Sequence, residues 1–331
     1  MNISIVNELK CCFNVTTQHA QVPLTFVILY APVIILTVCG NLLVVISISH
    51  FKQLHTPTNF LIFSLATADM MVGVMVLPLH FISKSICFHV SKILCYVCLL
   101  CTTNVTFVSI YNVSLISLDR MYALSNPFQY SNKVTAKRMS TIIYMKWSIS
   151  FCYNMTFVYF NGPATSDMLC LGECSATAKN LWSVIDLMLV FVLPCSVIMV
   201  SCMKMFAIAR KHAKNIRRAK GQHISRNSKY GHIVPKASER KAATTLGILV
   251  VVFVTCLLPY FIFVAMSSFI PDQIIGDVLD GSLTLLYINS TLNPIIYALF
   301  YPWFRTCVKI ILMLRIFNPN SSLINVLEKC S

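Results

Sequence analysis

Charge is what this sequence has least of. Only 11% of its 331 residues are charged, and 57% are hydrophobic. A soluble domain carries about 25% charged residues. So apolar a chain could not cover a water-facing surface with polar groups, which excludes a soluble enzyme of two ordinary domains. Acidic residues are scarcest, with 11 Asp and Glu against 26 Lys and Arg, for a net charge of +15. Other absences narrow the field further. There is no internal repeat, so an inverted-repeat transporter is not suggested. There are no alternating segments of about 10 residues, so a transmembrane β-barrel is not either. The first 23 residues hold no apolar run long enough for the core of a cleaved signal. His50, His55, His80 and His89 lack ligand spacing, and no nucleophile stands beside a base. No metal, no catalytic residue and no enzyme activity are therefore expected. The 15 cysteines are plentiful, but many sit inside apolar runs, such as Cys95, Cys98 and Cys101. That is not the pattern of a small disulfide-stapled scaffold.

What is present is a series of long apolar runs. A spanning helix needs roughly 20 apolar residues. Seven stretches qualify, at about 24–49, 58–82, 91–124, 140–161, 181–208, 242–268 and 278–301. They must be helices, because lipid offers no partner to a free backbone N–H or C=O. The fold class expected is an all-α membrane protein, a seven-transmembrane helix bundle with a short amphipathic helix after span seven. The division follows: residues 1–23 an extracellular N-terminal segment, 24–301 the bundle, 302–331 a cytoplasmic helix and tail. With the N-terminus outside, every basic residue falls in a cytoplasmic segment except Lys10, Lys84, Lys92 and Lys179. Lys146 is counted among the cytoplasmic ones. The opposite orientation would invert the positive-inside rule. A multi-pass protein of the plasma membrane, N-terminus outside and C-terminus in the cytosol, is expected. Asn2 and Asn14 then become usable glycosylation acceptors. The basic stretch 210–220 lacks a surrounding nucleic-acid recognition fold, so no nucleic-acid partner is expected.

Ionisable groups inside a membrane are costly and usually functional. Asp69 lies midway along span two, Asp119-Arg120 ends span three, and Asp186 lies near the outer end of span five. Asn41, Asn289 and Asn293 add neutral polar groups. These residues come with fixed neighbours: Gly40-Asn41 in span one and Leu65-Ala66-Thr67-Ala68-Asp69 in span two. Asp119-Arg120-Met121, Trp147 and Pro194 follow in spans three, four and five. Phe253-Val254-Thr255-Cys256-Leu257-Leu258-Pro259-Tyr260 lies in span six, and Asn293-Pro294-Ile295-Ile296-Tyr297 ends span seven. Seven such signatures in order, one per span, make the whole chain resemble a class A (rhodopsin-like) G-protein-coupled receptor. Asn289-Ser290-Thr291-Leu292-Asn293-Pro294, then Phe300-Tyr301-Pro302-Trp303-Phe304-Arg305, resembles the trace amine-associated receptors. Glu239-Arg240-Lys241-Ala242-Ala243 fits the same subfamily.

The resemblance implies a small amine ligand and a disulfide from Cys95 to Cys174. A second bridge would join Cys170 to Cys11 or Cys12. Aminergic relatives hold the ammonium with a span-three aspartate, 18 residues before the Asp-Arg arginine; here that residue is Thr102. A threonine cannot neutralise an ammonium. Asp186, eight residues before Pro194, stands where some fish trace amine receptors carry their aspartate. It is the expected amine partner, with Tyr260 and Tyr287 presenting ring faces to the cation. Thr102, Thr103 and Phe261 would line the rest. The bland alternative is a structural aspartate bonded to a nearby hydroxyl. Asp280 is a candidate second anion for a diamine, although an ordinary solvated loop is the favoured reading there.

For signalling, the resemblance implies a heterotrimeric G protein of stimulatory or olfactory type, and a chemosensory role. Arg120 would be clasped by Asp119 and Glu239. Phe128 would plug into the G protein, and Asn293, Pro294 and Tyr297 would switch. Asp69, Asn41 and Asn289 would form a polar network near a sodium ion, the one ion implied; no other cofactor is. Residues 302–315 should lie on membrane lipid, Arg305 and Lys309 toward headgroups. Cys307 and Cys330 are the positions open to palmitate, and the reading favours neither. Met121, Leu257 and Cys202 depart from the family pattern, the last two at positions tied to activation. The alternatives are therefore a class A receptor for a lipid or peptide, or a weakly signalling orphan receptor.

Overall fold

The computed structural model describes residues 24–85, 89–162, 168–170, 174, 181–222, 237–266 and 272–327. The expected acceptors Asn2 and Asn14, and the cysteines Cys11, Cys12 and Cys330, lie outside them. Side chains of Cys170 and Glu239, although their backbones are placed, also lie outside the description.

Span one is α1 (Leu24–His50). Span two is α2 (Pro57–Met71), a π-helical turn (Val72–Val76) and α3 (Leu77–Ser85). Span three is α4 (Lys92–Ser125), followed by a short helix α5 (Pro127–Lys133). Span four is α6 (Ala136–Asn161). Span five is α7 (Leu181–Asp186), a second π-helical turn (Leu187–Val192) and α8 (Leu193–Gln222). Spans six and seven are α9 (Ala237–Met266) and α10 (Asp272–Phe300). Six of the seven are long and apolar enough to cross a membrane by composition. Span four has the length, but its polar side chains lower its hydropathy.

Local signals set the ends. Thr56, Ser91 and Thr135 each accept a hydrogen bond from the backbone N–H three residues on, capping spans two, three and four. Pro57, Pro127 and Pro302 sit in the first turn of their helices, where a missing N–H costs nothing. Span three is central, packing on spans two, four and five, while span seven closes the ring against spans six and one. One continuous core runs through Val44, Leu65, Val113, Phe253 and Tyr297. In lipid such contacts hold by close packing rather than by expelling water. Gly40 shows how close: a Cβ there would lie 2.7 Å from Cβ of Pro294, so any larger residue would push span one off span seven.

The bundle is the expected one, with an addition. Strands β1 (His89–Ser91) and β2 (Met168–Cys170) pair antiparallel, His89 opposite Cys170. Beside them the Cys95–Cys174 disulfide ties the loop after span four to the start of span three. The disulfide marks one end of the bundle, the disulfide end, and Arg120 marks the opposite one, the Arg120 end.

Lys146 corrects the charge count. It is buried within span four, not on a surface. Its Nζ donates to Ser64 Oγ at 3.0 Å and to Asn112 Oδ1, and Trp147 Nε1 donates to the same Ser64 oxygen at 3.0 Å. A lysine's long apolar stem permits this depth, provided its ammonium finds oxygens to donate to.

Past span seven, α11 (Pro302–Leu312) packs Trp303, Phe304 and Cys307 inward. Arg305 is exposed, and one of its nitrogens turns back to the protein. Its Nη1 donates to the carbonyls of Ala298 and Leu299, at 3.1 and 2.9 Å, satisfying oxygens left over at the end of span seven. The chain then folds back through Leu314 and Asn320, both with positive φ. Val326 ends buried in the core, with its N–H donating to Gln53 Oε1.

Candidate ligand and signalling sites

A cavity of about 310 Å³ opens among the spans at the disulfide end. Both π-helical turns wall it, through Val76 and Val190. Such turns recur at functional sites because they re-aim side chains and leave a carbonyl without its helical partner. Here Tyr111 of span three donates to the carbonyl of Leu189 in the second turn, at 2.8 Å.

All six residues expected to bind ligand line this cavity: Thr102, Thr103, Asp186, Tyr260, Phe261 and Tyr287. Asp186 is the only carboxylate among the described residues that do. It ends α7 and is partly buried, and Tyr153 Oη of span four donates to its Oδ1 at 2.9 Å. The bland alternative thus holds in part, since Asp186 does bond a hydroxyl, yet it still lines the cavity. Thr103 Oγ1 donates to the carbonyl of Leu99 at 2.9 Å, which leaves its oxygen able only to accept from a ligand. Phe261 stacks on Phe191 with centroids 4.4 Å apart. Leu257, the departure one turn away, is buried in the core instead of lining the cavity.

Sequence reasoning missed several wall residues. His80 lines the cavity, with Nε2 2.8 Å from Thr284 Oγ1 and its ring edge-on to Tyr287. Asn154, Phe157 and Tyr153 bring span four into the site. None of these carries a motif of its own. Asp280, the candidate second anion, is exposed and does not line the cavity.

Toward the middle of the bundle, Asp69 is fully buried. Ser290 Oγ donates to its Oδ1 and Asn293 Nδ2 to its Oδ2, both at 2.7 Å. Asn41 joins indirectly: its Nδ2 donates to the carbonyl of Ser290 at 3.0 Å. Ser109 also reaches toward Asp69, while Asn289 Oδ1 and the Tyr297 hydroxyl are buried without a hydrogen-bond partner among the described residues. A carboxylate with unpaired neutral oxygens in its neighbourhood is a donor set that fits a small hard cation.

At the Arg120 end, Arg120 clasps Asp119 through Nη2 at 2.6 Å and Nε at 3.0 Å. Two further donors serve the same carboxylate: Thr58 Oγ1 to Oδ2 and Tyr130 Oη to Oδ1, both at 2.7 Å. Tyr130, on α5, was not anticipated. Burial first, and then the Asp119 charge, hold its phenol above the usual tyrosine value. Phe128, on the same short helix, is 80% exposed.

The family of rhodopsin-type seven-transmembrane receptors matches residues 40–297. Trace amine-associated receptor 13c of Danio rerio is 38% identical over 320 residues, covering 94% of this chain and 92% of that one. Trace amine-associated receptor 1 of Homo sapiens is 35% identical over 298 residues, 88% of each. Trace amine-associated receptor 7f of Mus musculus is 36% identical over 305 residues, 89% of this chain and 84% of that one.

Proposed function

This chain belongs to the trace amine-associated receptors of the rhodopsin family, and from that premise we propose that it takes a protonated monoamine on Asp186. It is a multi-pass G-protein-coupled receptor for amines, not an enzyme. The observation that carries the ligand reading is that Asp186 is the only carboxylate among the described residues around the cavity. An ammonium leaving water needs a countercharge, or it loses several kcal/mol. Thr102 supplies none, so the ammonium lies against span five and the rest of the ligand extends toward spans two, three and seven. Asp280 stands outside the cavity, which favours one amine over two.

The N-terminus lies outside the cell and the basic Arg120 end faces the cytosol, following the positive-inside rule. Amine binding draws the walls of the cavity together and favours a bundle in which Arg120 leaves Asp119. Only an amine that binds this second state more tightly shifts the balance. A stimulatory or olfactory G protein then docks, with Phe128 as its apolar contact, and the setting is chemosensory. A sodium ion, where bound, would be held by Asp69 with Ser109 and Asn289 nearby, and would favour the resting bundle.

The test is a cyclic-AMP assay against a panel of monoamines and diamines. Asp186→Ala should abolish the response while leaving surface expression intact. An unchanged response from a normally expressed Asp186→Ala receptor would refute the assignment.

A further inference from the structure

The segment that follows α11 is out of place for a chain end in water. Between residues 312 and 327, Leu312, Met313, Leu314, Phe317, Leu323, Ile324 and Leu327 are all exposed, Phe317 to 81%. Exposure of that kind otherwise marks the lipid faces of the spans, such as Leu29 at 65% and Leu299 at 64%. Leu299 and Phe300, at the end of span seven, are exposed in the same way. Seven large apolar side chains exposed within 16 residues are more than the single scattered ones a soluble surface carries.

We propose that residues 312–327 form a membrane-bound strap, a lipid contact additional to α11, that holds the tail in the leaflet at the Arg120 end. Three observations point to a bilayer. First, residues 302–327 carry Arg305, Lys309 and Arg315 and no acidic residue, the charge that suits an anionic membrane surface. Second, the strap is tied at the level where span one leaves the membrane. Ser321 Oγ donates to the Ile316 carbonyl at 2.6 Å, so His50 Nε2, 2.9 Å from that oxygen, must be the donor to it. The Val326 N–H donates to Gln53 Oε1 at 3.2 Å, and the Val326 side chain is buried. Third, the backbone spends energy to reach this course: Leu314 has φ 56°, costly for a residue with a branched side chain. Turning there keeps the chain beside the bundle instead of letting α11 run on.

The strap supplies apolar contact where Cys307 cannot carry an acyl chain. Cys307 is fully buried against the bundle, out of reach of an acyl chain, so side chains supply the apolar contact. Several partly inserted apolar residues with basic neighbours suffice for interfacial binding. This proposal rests on the membrane reading of the bundle and is independent of Asp186.

The test uses the full-length receptor in lipid nanodiscs, with Phe317→Trp and, separately, Leu323→Trp, each checked for the parent's unfolding temperature. The added emission, taken against the parent receptor, should be largely lost to lipids brominated near the top of the acyl chain. It should be little affected by aqueous iodide. The opposite pattern, loss to iodide and none to brominated lipid in a folded receptor, would show a water-facing or protein-docking segment and overturn the proposal.

Discussion

Tyr153 on span four donates its phenol hydrogen to Asp186 on span five across 2.9 Å. The cavity's carboxylate is thus steadied by a neighbouring helix. Phe107 packs on the same tyrosine ring, with centroids 5.5 Å apart. Tyr153→Phe would keep that contact and remove only the donor. A hydrogen bond to a charged group is worth about 1.5–3 kcal/mol. The amine concentration for half-maximal response should rise by roughly 10-fold or more, with surface expression unchanged. A concentration–response curve beside an epitope-tag count decides it.

Thr102 and Asp186 line one cavity from different spans. Thr102→Asp would place a second carboxylate there. An aliphatic diamine, poorly served by a single anion, should then gain relative to a monoamine of the same length. The ratio of the two responses is the measurement, and a ratio that does not move would show that Thr102 cannot reach the ligand's second nitrogen.

Lys146 offers a sharper contrast. Deleting a buried charge is often neutral, whereas stranding one costs about 3–5 kcal/mol. Lys146→Met should leave the unfolding temperature of the purified receptor nearly unchanged. Asn112→Leu, which takes away one of the two oxygens the ammonium donates to, should lower it markedly. Thermal unfolding of the two variants, ranked against the parent, gives the answer.

Cys307 is buried, and burial pushes its thiol up to about 12. Because that lies above any physiological pH, the group stays protonated and unreactive, since only the thiolate attacks. Maleimide at neutral pH should label Cys307 only after unfolding, and raising the pH to 9 should not expose it. Peptide mapping of the labelled sites checks both.

Much of this architecture is written locally. Hydropathy finds the spans, capping threonines and prolines set several of their ends, and the offset from Pro194 places Asp186. What escapes the sequence depends on pairs far apart in it. Lys146 meets Ser64 across 82 residues and Asn112 across 34, so its burial has no local sign, and a lysine in an apolar run reads as a boundary. Tyr130 and Tyr153 look like ordinary aromatics until folding sets each beside an aspartate. His80 reads as a lone histidine. The return of the tail to span one rests on Ser321 and Val326, residue types found on any surface.

The π-helical turn at Leu187–Val192 begins one residue after Asp186. Each residue of a helix turns its successor by about 100°. A helix that carries an extra residue in one turn is therefore out of phase on its two sides. Span five thereby has two independent headings: one points Asp186 into the cavity, the other sets the face that α8 turns to span three. Were the turn straightened by losing a single residue, Asp186 would swing by roughly that angle out of the cavity, with no change to its chemistry. Whether this cavity holds a carboxylate depends on the phase of a helix as much as on the acid it carries.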